Sequence, residues 1–214
     1  MKTTFSISKA FKTGWEHTKN HLEFLALSTF VYFVLYLVLA RFGHGDFSFI
    51  LRLAAWFVSM LFSIGMRRIG LLIEKGGVPT YNDFQTDATT FISVLFANII
   101  MAVFIFIGFI LLIIPGIIVA LRLSMTTYII LDKKMGAWAA VKESWKITKG
   151  HSWNLLGLAL CALLICIVAV IPFGLGLIVA LPFLAITAAI VYNRIKHLNT
   201  PVLVTGTHVV EHSN

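Results

Sequence analysis

Apolar positions along the chain gather into six runs parted by short polar stretches: Leu22–Ala40, Phe47–Met66, Phe91–Ile114, Ile117–Leu131, Trp153–Ile171 and Gly174–Tyr192. A helix rising ~1.5 Å per residue needs about 20 residues to cross a hydrocarbon layer of ~30 Å, so each run is expected to be a membrane-spanning helix. The fourth is the shortest, fifteen residues with an arginine inside. Read with the third as one helix kinked at Pro115, residues 91 to 131 would run about 60 Å, twice the layer. Two spans joined by a tight turn at Pro115-Gly116 are therefore expected.

One polar stretch has its own periodicity. In Gly136–Trp153, GAWAAVKESWKITKGHSW, residues Trp138, Val141, Trp145 and Thr148 recur at helical spacing, and Lys142, Lys146 and Lys149 follow another face. Gly150 suits a left-handed helix stop. The pattern predicts an amphipathic helix lying on a membrane surface and feeding the fifth span. It also occurs 130 residues earlier. Ala10, Lys12, Trp15, Thr18, Lys19, His21 and Leu25 match Ala140, Lys142, Trp145, Thr148, Lys149, His151 and Leu155, seven identities in sixteen positions, with Asn20 expected to make the left-handed stop in place of Gly150. This reads as an internal duplication covering residues 5–40 and 135–171.

Composition fixes the class. Hydrophobic residues make up 59% of the 214 and charged residues 12%, with a mean hydropathy of +0.93, against about 25% charged in soluble domains. The expected fold is an all-α polytopic membrane protein: six transmembrane helices as three hairpins, with cytoplasmic amphipathic interfacial helices. Residues 1–195 form a single membrane domain and 196–214 a polar C-terminal tail. The first apolar run begins only at Leu22, so no cleavable signal peptide is expected. With the N-terminus inside, fourteen of the 17 lysines and arginines fall in cytoplasmic segments, which predicts cytoplasmic termini. Both copies of the repeat then precede spans running outward, so the repeat is parallel. The net charge of +8 follows from this topology and gives no nucleic-acid signal.

Few residues offer chemistry. Arg122 and Arg52 lie within spans, where a charge costs roughly 2.5 kcal/mol or more near the centre. Arg122 sits seven residues after Pro115 and precedes Ser124, Thr126, Thr127 and Tyr128. With Asn98, it reads either as an intramembrane polar site for an anion, head group or solute, or as an arginine satisfied by backbone carbonyls. Arg52, near the outer end, reads as snorkelling. Glu23, at the inner mouth of the first span, is too far along the bilayer to serve as a ready partner for Arg122. Ala55, Ser59 and Ser63 form a small-residue packing stripe, and Pro182 should kink the sixth span. His17 and His21 lie four apart without a third ligand, and His208, Glu211 and His212 spell an H-x-x-E-H string without supporting sequence. Cys161 and Cys166 read as apolar filler. Neither a metal site nor a cofactor is expected, and no catalytic pattern is present.

Three stretches together, Leu112–Leu123 (LIIPGIIVALRL), Ala140–Trp153 and Gly174–Tyr192 with its GLGLIVALP start, resemble a bacterial membrane-domain family. That family is found fused to some glycerophosphoryl diester phosphodiesterases and has stand-alone relatives of unknown function. The resemblance covers roughly Thr80 to Ile195, and more loosely the first hairpin. It implies a multi-span protein of the bacterial inner membrane with no established activity. The phosphodiesterase domain has no counterpart here, so none of its catalytic residues is carried over.

The expected function is non-enzymatic: binding or organising lipid, or serving membrane-protein partners. Lys12, Lys19, Lys142, Lys146 and Lys149 are the candidate head-group contacts, with anionic lipids as partners. The alternative is a small-solute transporter or channel with Arg122 lining the path.

Overall fold

The computed structural model describes residues 7–42, 48–171 and 174–199. Among these the regular structure is helical: α1 (Ile7–Asn20), α2 (Leu22–Phe42), α3 (Ser48–Glu74), α4 (Ala88–Leu111), α5 (Ile113–Leu123), α6 (Thr126–Lys133), α7 (Ala137–Ile147), α8 (Ser152–Val170) and α9 (Leu177–Asn199), with a 3-10 turn at Tyr81–Phe84. Six segments are long and apolar enough to cross a membrane, and they coincide with the six apolar runs. Residues 43–47, 172 and 173, and those from Thr200 onward with the histidine string, lie outside the described residues.

Four local expectations need correction. The chain does not turn at Pro115-Gly116. It turns at Leu112, whose backbone is extended, and Pro115 and Gly116 lie in the first turn of α5. Proline is at ease there because that turn has no intrahelical partners for its N–H groups. Gly116 instead serves close packing, since a Cβ on Gly108 of α4 would stand 2.9 Å from the Gly116 Cα. The fourth span is not one helix, because α5 and α6 are broken at Ser124-Met125. The second and sixth spans run further than the apolar count gave, α3 through Arg67 and Arg68 to Glu74 and α9 to Asn199. Beyond Met66, the buried Ile69, Leu71 and Ile73 continue the apolar side of α3 past the two arginines. Lastly, Asn20 makes no left-handed stop: a single residue, His21, joins α1 to α2, whereas Gly150 does take a positive φ of 94°.

The helices pack in consecutive pairs, α2 with α3, α4 with α5, and α8 with α9. In the membrane-length segments, the second member of each pair is the inner one: 28%, 50% and 61% of its residues are buried, against 17%, 17% and 6% for the first. Ile64 and Ile69 of α3, Ile129 and Ile130 of α6, and Ile186, Val191 and Ile195 of α9 meet in one fully buried cluster. The short elements close a ring around it. The 3-10 turn before α4 packs on α3, α7 before α8 packs on α4, α5 and α6, and α1 before α2 packs on α9. Each pair is thus overlapped by the element that introduces the next, and the first is introduced by an element seated on the last.

At one end of the inner helices a polar node ties them together. Asp132, just 4% exposed at its side chain, accepts from Lys75 Nζ at 2.8 Å, Lys196 Nζ at 2.6 Å and the Tyr192 hydroxyl at 2.9 Å. Asn193 donates to Glu74 beside it. One buried carboxylate with three donors joins α6 to α9 and to the end of α3; charge assistance strengthens these bonds, and solvent at the exposed ends of Lys75 and Lys196 reduces the gain.

Candidate functional site

The break in the fourth span organises the site. Ser124 Oγ donates to the Leu121 carbonyl at 2.7 Å, and Thr126 Oγ1 to the Leu123 carbonyl at 2.7 Å. Hydroxyls that take backbone carbonyls compete with the helical ladder, which accounts for a break where Ser124, Thr126 and Thr127 cluster. A carbonyl in the last turn of a helix lacks an intrahelical donor, and Arg122 stands there. Its oxygen receives the Ser144 hydroxyl of α7 at 2.7 Å and, at 3.1 Å, a share of the hydroxyl of Thr148 just past that helix, whose single proton also faces the Ser144 carbonyl.

The polar helix is therefore held by the protein on one side. Ala140, Ser144 and Thr148, four apart, are fully buried, and Val141 and Ile147 flank them. This revises the expected face: Val141 and Thr148 do point inward, but Trp138 and Trp145 are 52% and 40% exposed. The buried stripe consists of small residues, because only these let α7 approach the broken helix closely enough for its hydroxyls to reach the Arg122 carbonyl. The aromatic residues flank that stripe and form a second, outward surface.

The residues 130 positions earlier behave in the same way. Ala10, Gly14 and Thr18 are buried against α9, while Trp15 is 42% exposed. A Cβ on Gly14 would lie 2.3 Å from Thr187 Oγ1, so α1 touches α9 where no side chain fits between them. Thr18 and Thr148 each bond back to the carbonyl four residues earlier at 2.7 Å. The junctions agree as well: His21 N–H donates to Thr18 and Leu25 N–H to the His21 carbonyl, as His151 does to Thr148 and Leu155 to His151.

Of the five lysines proposed for head groups, Lys12, Lys19, Lys142, Lys146 and Lys149 are all exposed, two on α1 and three on or just past α7. Lys19 Nζ stands 5.2 Å from the Trp15 ring centre, and Lys142 Nζ stands 5.2 Å from that of Trp138. The structure brings Arg122 to this group. Its guanidinium lies 4.6 Å over the Trp145 ring, and its Nε is enclosed by protein without a hydrogen-bond acceptor among the described residues. Arg122 thus packs on the outward Trp145 of α7. No hydrogen bond, ion pair or ring contact among the described residues links Asn98 or Arg52 to it: Asn98 is half-buried on α4 and Arg52 exposed near the start of α3. Glu23 is likewise exposed, on α2.

Beside Trp138 and Trp145 lies a groove of about 340 Å³, walled by Phe104, Val119, Leu123 and the two tryptophans, with Lys142 as its charged member. Two further grooves flank the other ring elements. One of about 510 Å³ runs along Trp15 and Phe183, and one of about 420 Å³ along Tyr81, Phe84 and Tyr32; neither lining includes a charged residue.

Sequence reasoning missed Ser144, Asp132, Tyr192 and Lys75. The first was legible as the middle of a small-residue stripe, Ala-x-x-x-Ser-x-x-x-Thr, matched by Ala-x-x-x-Gly-x-x-x-Thr in α1. Asp132 carried no such signal, because next to Lys133 and Lys134 it reads as part of a solvated turn. Among the described residues, no group of three or more histidine, cysteine, aspartate or glutamate side chains is placed to hold a metal ion. No curated protein and no solved structure matches the chain. A family model does match, over residues 47–199, which take in the 3-10 turn, the broken span and the α7 dock; the protein belongs to that family, DUF975, a family of proteins of unknown function.

Proposed function

We propose that this is a non-enzymatic protein of the bacterial inner membrane that binds and organises anionic lipid on its cytoplasmic side. In this reading the chain crosses six times as three hairpins with both termini inside, and α1 and α7, copies of one duplicated unit, sit where hydrocarbon gives way to head groups. One observation carries it: both helices turn a small-residue stripe into the protein and set tryptophan and lysine outward side by side, Trp15 with Lys19 and Trp138 with Lys142. An indole with an ammonium above it suits the layer between acyl chains and phosphates, since the ring prefers the boundary and the ammonium the anion. Each lysine near such a surface contributes roughly 1 kcal/mol of attraction to anionic lipid.

Native mass spectrometry tests the reading. Protein released from mild detergent is expected to retain anionic phospholipid, and the variant Lys142→Ala/Lys146→Ala/Lys149→Ala to lose most of it. Equal retention by both would reduce these lysines to determinants of topology.

A further inference from the structure

We infer that the groove between α4, α5 and α7 seats one acyl chain of an anionic phospholipid whose phosphate is bound by Arg122 and Lys142. This rests on the reading that the basic side of α7 meets anionic lipid, and it narrows that reading from a charged surface to one site.

Charge distinguishes this groove from the other two. All three are apolar channels beside an aromatic residue of a ring element, and any of them accommodates hydrocarbon. Only the α7 groove has a cation in its lining, Lys142, and a second one, Arg122, on the indole that forms its wall. Neither cation has a carboxylate partner among the described residues. The salt bridges among the described residues engage Lys75, Lys133 and Lys196, with Asp132 and Glu143 as their acceptors. Arg122 stacks on Trp145 and keeps an enclosed Nε without an acceptor. The Nε faces protein, so a phosphate would meet the terminal nitrogens of the guanidinium, which no acceptor among the described residues engages. A guanidinium is also the side chain best shaped to hold two oxygens of one phosphate. The walls supply the rest. Phe104 stacks on Trp138 at 6.3 Å, so two rigid rings border the space, and Val119 and Leu123 form its floor on α5. A molecule that is hydrocarbon for most of its length and anionic at one end matches both parts, which a free phosphate or an uncharged lipid does not.

The test places full-length protein in nanodiscs of equal parts phosphatidylglycerol and phosphatidylcholine and counts bound lipids by native mass spectrometry. Wild type is expected to retain one phosphatidylglycerol per chain in preference to phosphatidylcholine. Arg122→Gln should weaken that retention roughly tenfold, the worth of one charge-assisted hydrogen bond. Val119→Phe, which fills the groove and alters no cation, should abolish the single tight site while leaving the looser lysine-dependent lipids. An independent readout uses phosphatidylglycerol brominated along its chain in a variant retaining Trp138 and Trp145 alone. Their fluorescence should be quenched more strongly than in the same variant carrying Val119→Phe. Unchanged lipid count, preference and quenching in Val119→Phe would overturn the groove site, and the lysine reading would stand if the triple-alanine variant still lost lipid. Loss of the tight site in Val119→Phe together with full retention in the triple-alanine variant would overturn the surface reading and, with it, the part of Lys142 in the site, leaving the groove and Arg122.

Discussion

The docks of α1 and α7 are built from the same residues and hold by different means. In both, an alanine and a threonine eight positions apart are buried, the threonine bonds back within its own helix, and a tryptophan stands outside. The middle position differs. Gly14 lets α1 lie directly on Thr187 of α9, so that dock is a matter of shape. Ser144 reaches across to the Arg122 carbonyl, so the other dock is a matter of hydrogen bonding. The receiving helices differ accordingly. α9 runs from Leu177 to Asn199 with Pro182 buried inside it, and α5–α6 is interrupted and presents a carbonyl that takes its donors from α7 and its cap rather than from its own helix. One helical pattern can thus be seated on an intact helix by removing a side chain, or on a broken one by adding a hydroxyl.

The largest effect is expected where the two receiving helices are joined. Asp132→Ala removes the acceptor of Tyr192, Lys75 and Lys196, and should cost about 3 kcal/mol, weakening both docks together. Thermal unfolding in detergent should show one transition moved down as a whole; a variant as stable as wild type would show that the node does not hold α6 to α9. Gly14→Val should break the α1 dock alone at about 2 kcal/mol, because even its Cβ would overlap Thr187 Oγ1, which is itself bonded to the Phe183 carbonyl. If shape is the cause, Thr187→Ala should restore part of the loss for Gly14→Ala, and it should do nothing for a change at Ser144.

Ser144→Ala with Thr148→Val strips both hydroxyls from the Arg122 carbonyl and should cost about 1.5 kcal/mol, with faster amide exchange around Ser124–Thr127. The matching change in the other dock, Thr18→Val, removes only a bond within α1. It should alter stability by less than about 0.5 kcal/mol. Equal losses in the two docks would abolish the distinction drawn between them. The smallest effects belong to the outward surface. Lys19→Gln and Lys142→Gln should each change stability by no more than about 0.5 kcal/mol, since a cation over an exposed ring is weakly held. Their consequence should instead appear as reduced retention of anionic lipid.

Much of the framework was legible from the chain. Six apolar runs of membrane-crossing length gave six apolar helical segments, and the 130-residue correspondence picked out positions whose burial and junction hydrogen bonds agree. What hydropathy could not show is where a helix stops while its residues remain apolar enough. The break at Ser124-Met125 is made by hydroxyls turning onto carbonyls, and a serine scores much the same whether it does so or faces lipid. The division of α7 was obscured for a similar reason. Amphipathicity separates charged from apolar positions, but it does not say which apolar positions face protein and which face outward. In α7 that choice is set by size, with Ala140, Ser144 and Thr148 inward and Trp138 and Trp145 outward. Arg122 was legible as costly and unusual, and its position on Trp145 depended on the break that the same reading had missed. Asp132 was hidden because its donors Lys75, Tyr192 and Lys196 come from parts of the chain about sixty residues away on either side.

The ring that seats α1 on α9 has a consequence for synthesis. A ribosome delivers Gly14 long before Thr187, so α1 leaves the tunnel with its small-residue stripe facing nothing. The 3-10 turn finds α3 and α7 finds α5–α6 already made, each able to settle as it emerges. α1 must wait until α9 is made, and until then its small-residue stripe has no seat. Translated before the helix it rests on, α1 can reach its place only once that helix is made.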